Sequence, residues 1–338
     1  MQIAIFSAQP YDARFLEEAR VQHPAGAGVE LVCHTESLSL RSVALAQGCG
    51  AVCVFVNDML DAPVLEALAQ LGVRAILMRC AGFNNVDAAA AQRLGLFVAR
   101  IPSYSPESVA EHTLALILTL NRHTHQAYAR VREGNFALNG LLGSTLHGKT
   151  VGLIGIGTIG LAAARIFKGF GCRVLGHDPS PLPEFASLGA QAALPDLLAE
   201  VDIVSLHCPL NDATRHLIDA AALARMKPGA MLVNTSRGEL IDTSAVIDAL
   251  KTRRLGSLAI DVYEQESELF FQDRSADIIA DDVFQRLMTF PNVLVTGHQG
   301  FFTEEAMREI AATTFNNLAC FLAGAPCANL VPGTASMA

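Results

Sequence analysis

The sequence predicts an α/β protein built as two doubly wound parallel-sheet domains, and three observations lead there. The chain has 338 residues, more than one hydrophobic core ordinarily serves. Hydrophobic residues make up 51% of it and charged residues only 17%, a balance expected when strands are covered on both faces. Short apolar runs alternate with amphipathic stretches in two separate series, the rhythm of βαβ units around a parallel sheet.

The first series comprises Ile3 to Phe6, Val29 to Val32, Ala51 to Val56, Ala75 to Met78 and Leu96 to Ala99, each of strand length. Between them, stretches such as Ala62 to Leu71 and Asp87 to Leu94 suit helices. In the segment Ile101-Pro-Ser-Tyr-Ser-Pro, Ser105 can cap a helix that opens at Pro106, where a missing N–H and a fixed φ are no handicap. That helix is expected to run to about Arg132. Its polar, basic second half, Asn121 to Arg132, reads as an exposed connector and a hinge between domains.

From Lys149 the rhythm restarts with Thr150 to Ile154, Arg173 to Gly176, Ile203 to Leu206, Ala230 to Asn234, Ser257 to Asp261 and Val293 to Thr296. Six such units match a complete dinucleotide-binding sheet. The helical pattern Glu304 to Gly324 then lies beyond that sheet and is expected to return to the first domain. The expected division is therefore 1–101 plus 299–338 for one domain and 102–298 for the other.

Gly155-Ile-Gly157-Thr-Ile-Gly160 follows the first strand of the second series and opens an alanine-rich helix. Gly155 permits the tight turn, Gly157 lets backbone approach a pyrophosphate, and Gly160 lets helix and strand close together over a helix N-terminus that favours anions. The next strand ends at Asp178, whose carboxylate can accept hydrogen bonds from ribose hydroxyls and would repel a 2'-phosphate. Pro179-Ser-Pro-Leu brings no Arg or Lys close behind it, so NAD is expected rather than NADP.

Composition excludes other classes. A net charge of −9 with scattered Lys and Arg offers no footprint for nucleic acid. Eight cysteines form no C-x-x-C pair and sit mostly in apolar segments, which reads as buried free thiols rather than disulfides or zinc, and no metal is expected. No apolar stretch of membrane-spanning length and no signal-like N-terminus appears, so a cytoplasmic protein without a membrane partner is expected.

Arg237, Glu266 and His298 stand at the expected carboxyl ends of late strands, where open α/β sheets bind ligands. Reduction of a 2-oxo acid needs this chemistry. A guanidinium holds the carboxylate and polarises the carbonyl, and an imidazolium delivers the proton as hydride arrives. A carboxylate bonded to the imidazole orients it and stabilises its charge.

Gly155-Ile-Gly-Thr-Ile-Gly, Val204-Ser-Leu-His-Cys-Pro-Leu, Met226-Lys-Pro-Gly-Ala, Asn234-Thr-Ser-Arg-Gly, Asp261-Val-Tyr-Glu-Gln-Glu and Thr296-Gly-His together resemble the D-2-hydroxyacid dehydrogenase family over essentially the whole chain. The resemblance implies a flavodoxin-like substrate domain and a Rossmann NAD-binding domain with an interdomain active-site cleft. It implies Arg237, Glu266 and His298 as the catalytic set, with Glu266 rather than Glu264 as the carboxylate. Cofactor contacts carry over to Gly155, Gly157, Thr158, Ile159, Gly160, Asp178, His207, Cys208, Pro209, Thr235, Ser236, Arg237, Asp261 and His298. Substrate contacts carry over to Arg237, His298 and Tyr104, and to Ala81 and Gly82 in Arg79-Cys-Ala-Gly-Phe.

The long stretch Leu269-Phe-Phe-Gln-Asp-Arg-Ser-Ala-Asp-Ile-Ile-Ala-Asp-Asp-Val-Phe-Gln-Arg-Leu is most similar to bacterial D-lactate dehydrogenases, which implies pyruvate and D-lactate as substrates and a homodimer or homotetramer. A bulkier 2-oxo acid such as hydroxypyruvate or phenylpyruvate is the alternative, and an NAD-sensing corepressor-like binding protein a remote one. Phe301 stands where some relatives carry tyrosine, and Gly300 where alanine is expected.

Overall fold

A computed structural model describes residues 1–180, 182–266 and 269–334. The two series of apolar runs form two parallel sheets, which lie in two compact units, Met1–Ser105 with Phe302–Ala338, and Pro106–Phe301. These limits differ by a few residues from 101/102 and 298/299, since Pro106 itself opens the first helix of the second unit. Pro181 and the last four residues of the expected first domain, 335–338, lie outside the described residues.

In the first unit the strands are β1 (Gln2–Ile5), β2 (Glu30–Cys33), β3 (Ala51–Val54), β4 (Ala75–Met78) and β5 (Phe97–Ala99), in the order β2-β1-β3-β4-β5. All pair in parallel, and β3 and β4 are buried along their whole length, which is why they read as uninterrupted apolar runs. Helices Ala62–Gln70 and Ala88–Arg93 start where Asp61 and Asp87 accept from the backbone N–H three residues on. The helix Glu304–Ala323 belongs to this unit, as expected. Beyond it, Val331 N–H donates to Val98 and Leu330 bridges Ala99 antiparallel.

A buried charge ties the carboxyl ends of these strands together. Arg79, directly after β4 and 2% exposed, donates from its guanidinium to the carbonyls of Phe6 (3.2 Å), Ser7 (3.4 Å) and Cys53 (3.3 Å). Its Nε lies 3.3 Å from Asp12 Oδ1, in the first turn of the helix Pro10–Gln22, where a negative charge is favoured. The strand-end carbonyls are thus satisfied by a cation whose countercharge sits on a helix N-terminus.

In the second unit the strands are β6 (Thr150–Ile154), β7 (Arg173–His177), β8 (Ala190–Gln191), β9 (Ile203–Leu206), β10 (Ala230–Asn234), β11 (Leu255–Ile260) and β12 (Val293–Val295). Their order is β12-β11-β10-β9-β6-β7-β8, all parallel, with the direction of winding reversing between β6 and β9. The two-residue β8 is additional to the six expected strands, because it is exposed and too short for a hydrophobic pattern.

The expected long helix is two, Pro106–Arg122 and Thr124–Arg132, separated by His123 at φ +52°. Its second half is exposed as expected, yet it lies inside the second unit rather than between units, which corrects the hinge reading. The first half buries Val109, Ala110, Leu116, Ile117 and Leu120, most of them in a core shared with Leu161, Ala163 and Phe167 of the helix Thr158–Gly169. Among the described residues no helix is long and apolar enough to cross a membrane.

Removing Asp12 would strand the Arg79 charge in the first unit. Asp12→Ala is expected to cost about 3–5 kcal/mol in urea unfolding, whereas Asp12→Ala with Arg79→Met should cost clearly less than the sum of the single changes.

Candidate active site

The site is assembled at the carboxyl ends of the second unit's strands, beginning with the turn between β6 and the helix Thr158–Gly169. Gly155 has φ +94°, and a Cβ there would fall 2.5 Å from the backbone of His207 and Cys208. A Cβ on Gly160 would fall 2.2 Å from Gly155 O. Both glycines are thus demanded by the fold. Gly157 differs, since a Cβ there would meet nothing within 4 Å.

That open face lies at the helix N-cap, where Gly157 offers no side chain to the first backbone N–H groups and Thr158 and Ile159 form the first turn. The combination of open backbone, uncapped N–H groups and positive helix end fits a pyrophosphate. Asp178, one residue past β7, accepts from Ile156 N–H (2.7 Å) and Ser180 N–H (2.8 Å). The first of these bonds fixes the carboxylate against the glycine turn, where a dinucleotide's adenosine ribose belongs.

Past β9, His207 and Cys208 line the same turn. Ser205 Oγ is 2.9 Å from His207 Nε2, and burial pushes the His207 imidazole down to about 4, so it is neutral at physiological pH. Burial pushes the Cys208 thiol up to about 11, which removes it as a nucleophile. Pro209 is exposed beside them. Ser236 Oγ donates to Cys208 O (2.7 Å), and Thr235 Oγ1 is 2.9 Å from Thr113 Oγ1, so the end of β10 is knitted both to β9 and to the helix Pro106–Arg122.

Arg237, Asp261 and His298 follow the neighbouring strands β10, β11 and β12, where Asn234 pairs with Ile260 and Ile260 with Val295. Adjacent strands lie about 4.8 Å apart, so the sheet itself brings these ends together. Arg237 is partly buried, donates from Nη1 to Ser236 O (2.7 Å), and has no carboxylate partner among the described residues. His298 Nδ1 is 2.9 Å from Glu266 Oε1. Glu266 is fixed in turn through its other oxygen by Tyr263 N–H at 3.0 Å. Glu264 pairs instead with His216, at 2.7 Å.

The imidazole is flanked by the rings of Phe271 (5.6 Å between centroids) and Phe301 (6.3 Å). Because Nδ1 is committed to Glu266, Nε2 is the nitrogen left for chemistry. Asp261, 1% exposed, accepts from Gln299 N–H (2.9 Å), Gly300 N–H (2.8 Å), Thr296 Oγ1 and His112 Nε2 (3.2 Å). Burial alone would raise its carboxyl, but the hydrogen bonds from His112 and Thr296 hold it below its ordinary value.

His112 carries no sequence signal of this role, since 149 residues separate it from Asp261 and nothing local marks the pairing. Ala81, Gly82 and Tyr104 belong to the first unit, where all three are partly buried. There Ala81 O accepts from Arg100 and Gly82 O from Cys80 Sγ.

Two parallel-sheet α/β domains, one with a glycine turn and an acidic strand end, define a protein of the dinucleotide-binding class. Residues 114–300 match the family described as D-isomer specific 2-hydroxyacid dehydrogenase, NAD binding domain, and the chain belongs to that family. It is 58% identical over 330 residues to 2-hydroxyacid dehydrogenase A of Aspergillus oryzae, covering 97% of this chain and 94% of that one. It is 50% identical to D-lactate dehydrogenase of Escherichia coli, covering 97% and 99%. The apo-structure of D-lactate dehydrogenase from Escherichia coli superposes with a TM-score of 0.89 at 47% identity, covering 98% of this chain and all of that one. The protein is an NAD-binding oxidoreductase.

The glycines separate binding from folding. Gly157→Ala is expected to leave the unfolding midpoint unchanged and weaken NADH binding at least about ten-fold in a fluorescence titration. Gly160→Ala should instead lower stability, because its Cβ collides with backbone.

Proposed function

We propose that the protein reduces pyruvate to D-lactate with NADH, and that Arg237, Glu266 and His298 carry the reaction. The observation that bears most weight is the hydrogen bond between His298, past β12, and Glu266, past β11, together with Arg237 past β10, whose guanidinium has no carboxylate partner among the described residues. The named activity of the Escherichia coli relative supports the choice of substrate.

Bound NADH supplies the hydride that reaches the carbonyl carbon. Arg237 holds the substrate carboxylate and polarises the carbonyl, a role suited to a planar guanidinium that makes paired bonds to a carboxylate. His298 donates the proton from Nε2 to the carbonyl oxygen, with Glu266 holding the ring through Nδ1 and stabilising its charge. The ring then regains its proton from water. In the reverse direction the neutral ring removes the hydroxyl proton. Phe271 and Phe301 limit water around the imidazole and strengthen its interactions.

Asp178, adjoining the glycine turn, selects NAD over NADP. Ala81, Gly82 and Tyr104 are proposed substrate contacts on the family resemblance. The same reading makes the protein a cytoplasmic homodimer or homotetramer. Tyr128, Val131, Phe136, Leu138 and Leu142, close in sequence in the second unit, are exposed apolar side chains available to such an association.

The test is NADH oxidation with pyruvate, hydroxypyruvate and phenylpyruvate, repeated with variants. Arg237→Gln should raise the pyruvate KM and lower kcat, and His298→Ala should lower kcat by about 10²–10⁴-fold with a smaller change in KM. Preference for a bulkier acid would move the substrate within the family. Tight NADH binding without turnover of any acid would overturn the reading.

A further inference from the structure

His298 occupies a backbone conformation that few side chains adopt, with φ +54°. Such a conformation persists only where its surroundings enforce it. Here the enforcement comes from Asp261, whose Oδ1 accepts from Thr296 Oγ1, two residues before His298, and from Gln299 N–H, the residue after it. Oδ2 accepts from Gly300 N–H at 2.8 Å. One carboxylate therefore grips the chain on both sides of the imidazole.

The fourth donor to that carboxylate comes from elsewhere in the unit. His112, on the helix Pro106–Arg122, has Nε2 3.2 Å from Asp261 Oδ1 and 3.1 Å from Thr296 Oγ1, and its side chain is only 15% exposed. Since an ionised carboxylate can only accept, Nε2 carries the hydrogen. Gly300 makes room for this arrangement. A Cβ there would lie 3.0 Å from Asp261 Oδ2 and 3.3 Å from His112 Cδ2, closer than the ring and the carboxylate accommodate without moving.

We propose that His112 is a positioning residue for proton transfer: by donating to Asp261 it holds the 297–300 loop so that His298 presents Nε2 to the reacting oxygen. This rests on the reading of His298 as the proton donor. A helix-to-sheet tether with no bearing on chemistry is the competing account, and the two differ in what they do to the proton-transfer step.

His112→Leu removes the donor, while His112→Gln keeps an N–H at a similar reach. In His112→Leu, hydrogen exchange of the Gln299 and Gly300 amides should quicken. Its kcat should fall by about 10–100-fold, NADH affinity should stay within about three-fold, and the solvent deuterium isotope effect on turnover should rise as proton delivery becomes limiting. His112→Gln should recover most of the rate and of the amide protection. Unchanged exchange and kcat in His112→Leu would overturn the proposal. So would a parallel loss of kcat, NADH affinity and melting temperature with an unaltered isotope effect. If the wild-type protein turns over no 2-oxo acid, the reading of His298 falls, and amide exchange alone then decides whether His112 holds the loop.

Discussion

The Asp261 carboxylate is the interaction on which the second unit's site depends. A buried charge is costly unless its lone pairs find donors, and Asp261 finds two backbone amides, a hydroxyl and an imidazole. Those donors come from the loop after β12 and from the helix Pro106–Arg122, so one side chain joins elements distant in sequence. Hydrogen bonding keeps it ionised despite burial. The left-handed backbone at His298 lies between the two residues, Thr296 and Gln299, that this carboxylate holds.

The first unit solves the complementary problem. Strand-end carbonyls need donors, and there a buried Arg79 supplies them, with Asp12 as its countercharge. Open parallel sheets bind ligands at the carboxyl ends of their strands, and in each unit a buried charge hydrogen-bonds groups at or just past those ends. In the second unit the same edge carries a glycine turn with an open face, the Arg237 guanidinium and an imidazole hydrogen-bonded to Glu266.

Much of this is legible in the sequence because the signals are local. Strands such as Ala75–Met78, Thr150–Ile154, Ile203–Leu206 and Ala230–Asn234 are buried or nearly so and read as apolar runs with their observed limits. The glycine turn shows itself by its spacing between an apolar strand and an alanine-rich helix, and the family motif tells Glu266, which bonds His298, from Glu264. What escapes has physical reasons. The helix break at His123 carries neither glycine nor proline, so no local rule announces it. Strand β8 is two exposed residues. The His112–Asp261 bond is set by packing of a helix on a distant strand end, and a single sequence holds no trace of such a pairing.

If Asp261 acts chiefly by organising the proton-donating loop, neutralising it should slow the chemical step far more than it weakens the cofactor it is also expected to contact. Single-turnover oxidation of enzyme-bound NADH by saturating pyruvate, compared between wild type and Asp261→Asn, measures this most directly. The neutral amide cannot accept from all four donors, so the hydride step should slow by at least about 100-fold while NADH still binds within roughly ten-fold of wild type. An Asp261→Asn protein that oxidises NADH at the wild-type rate would contradict the central role of that carboxylate.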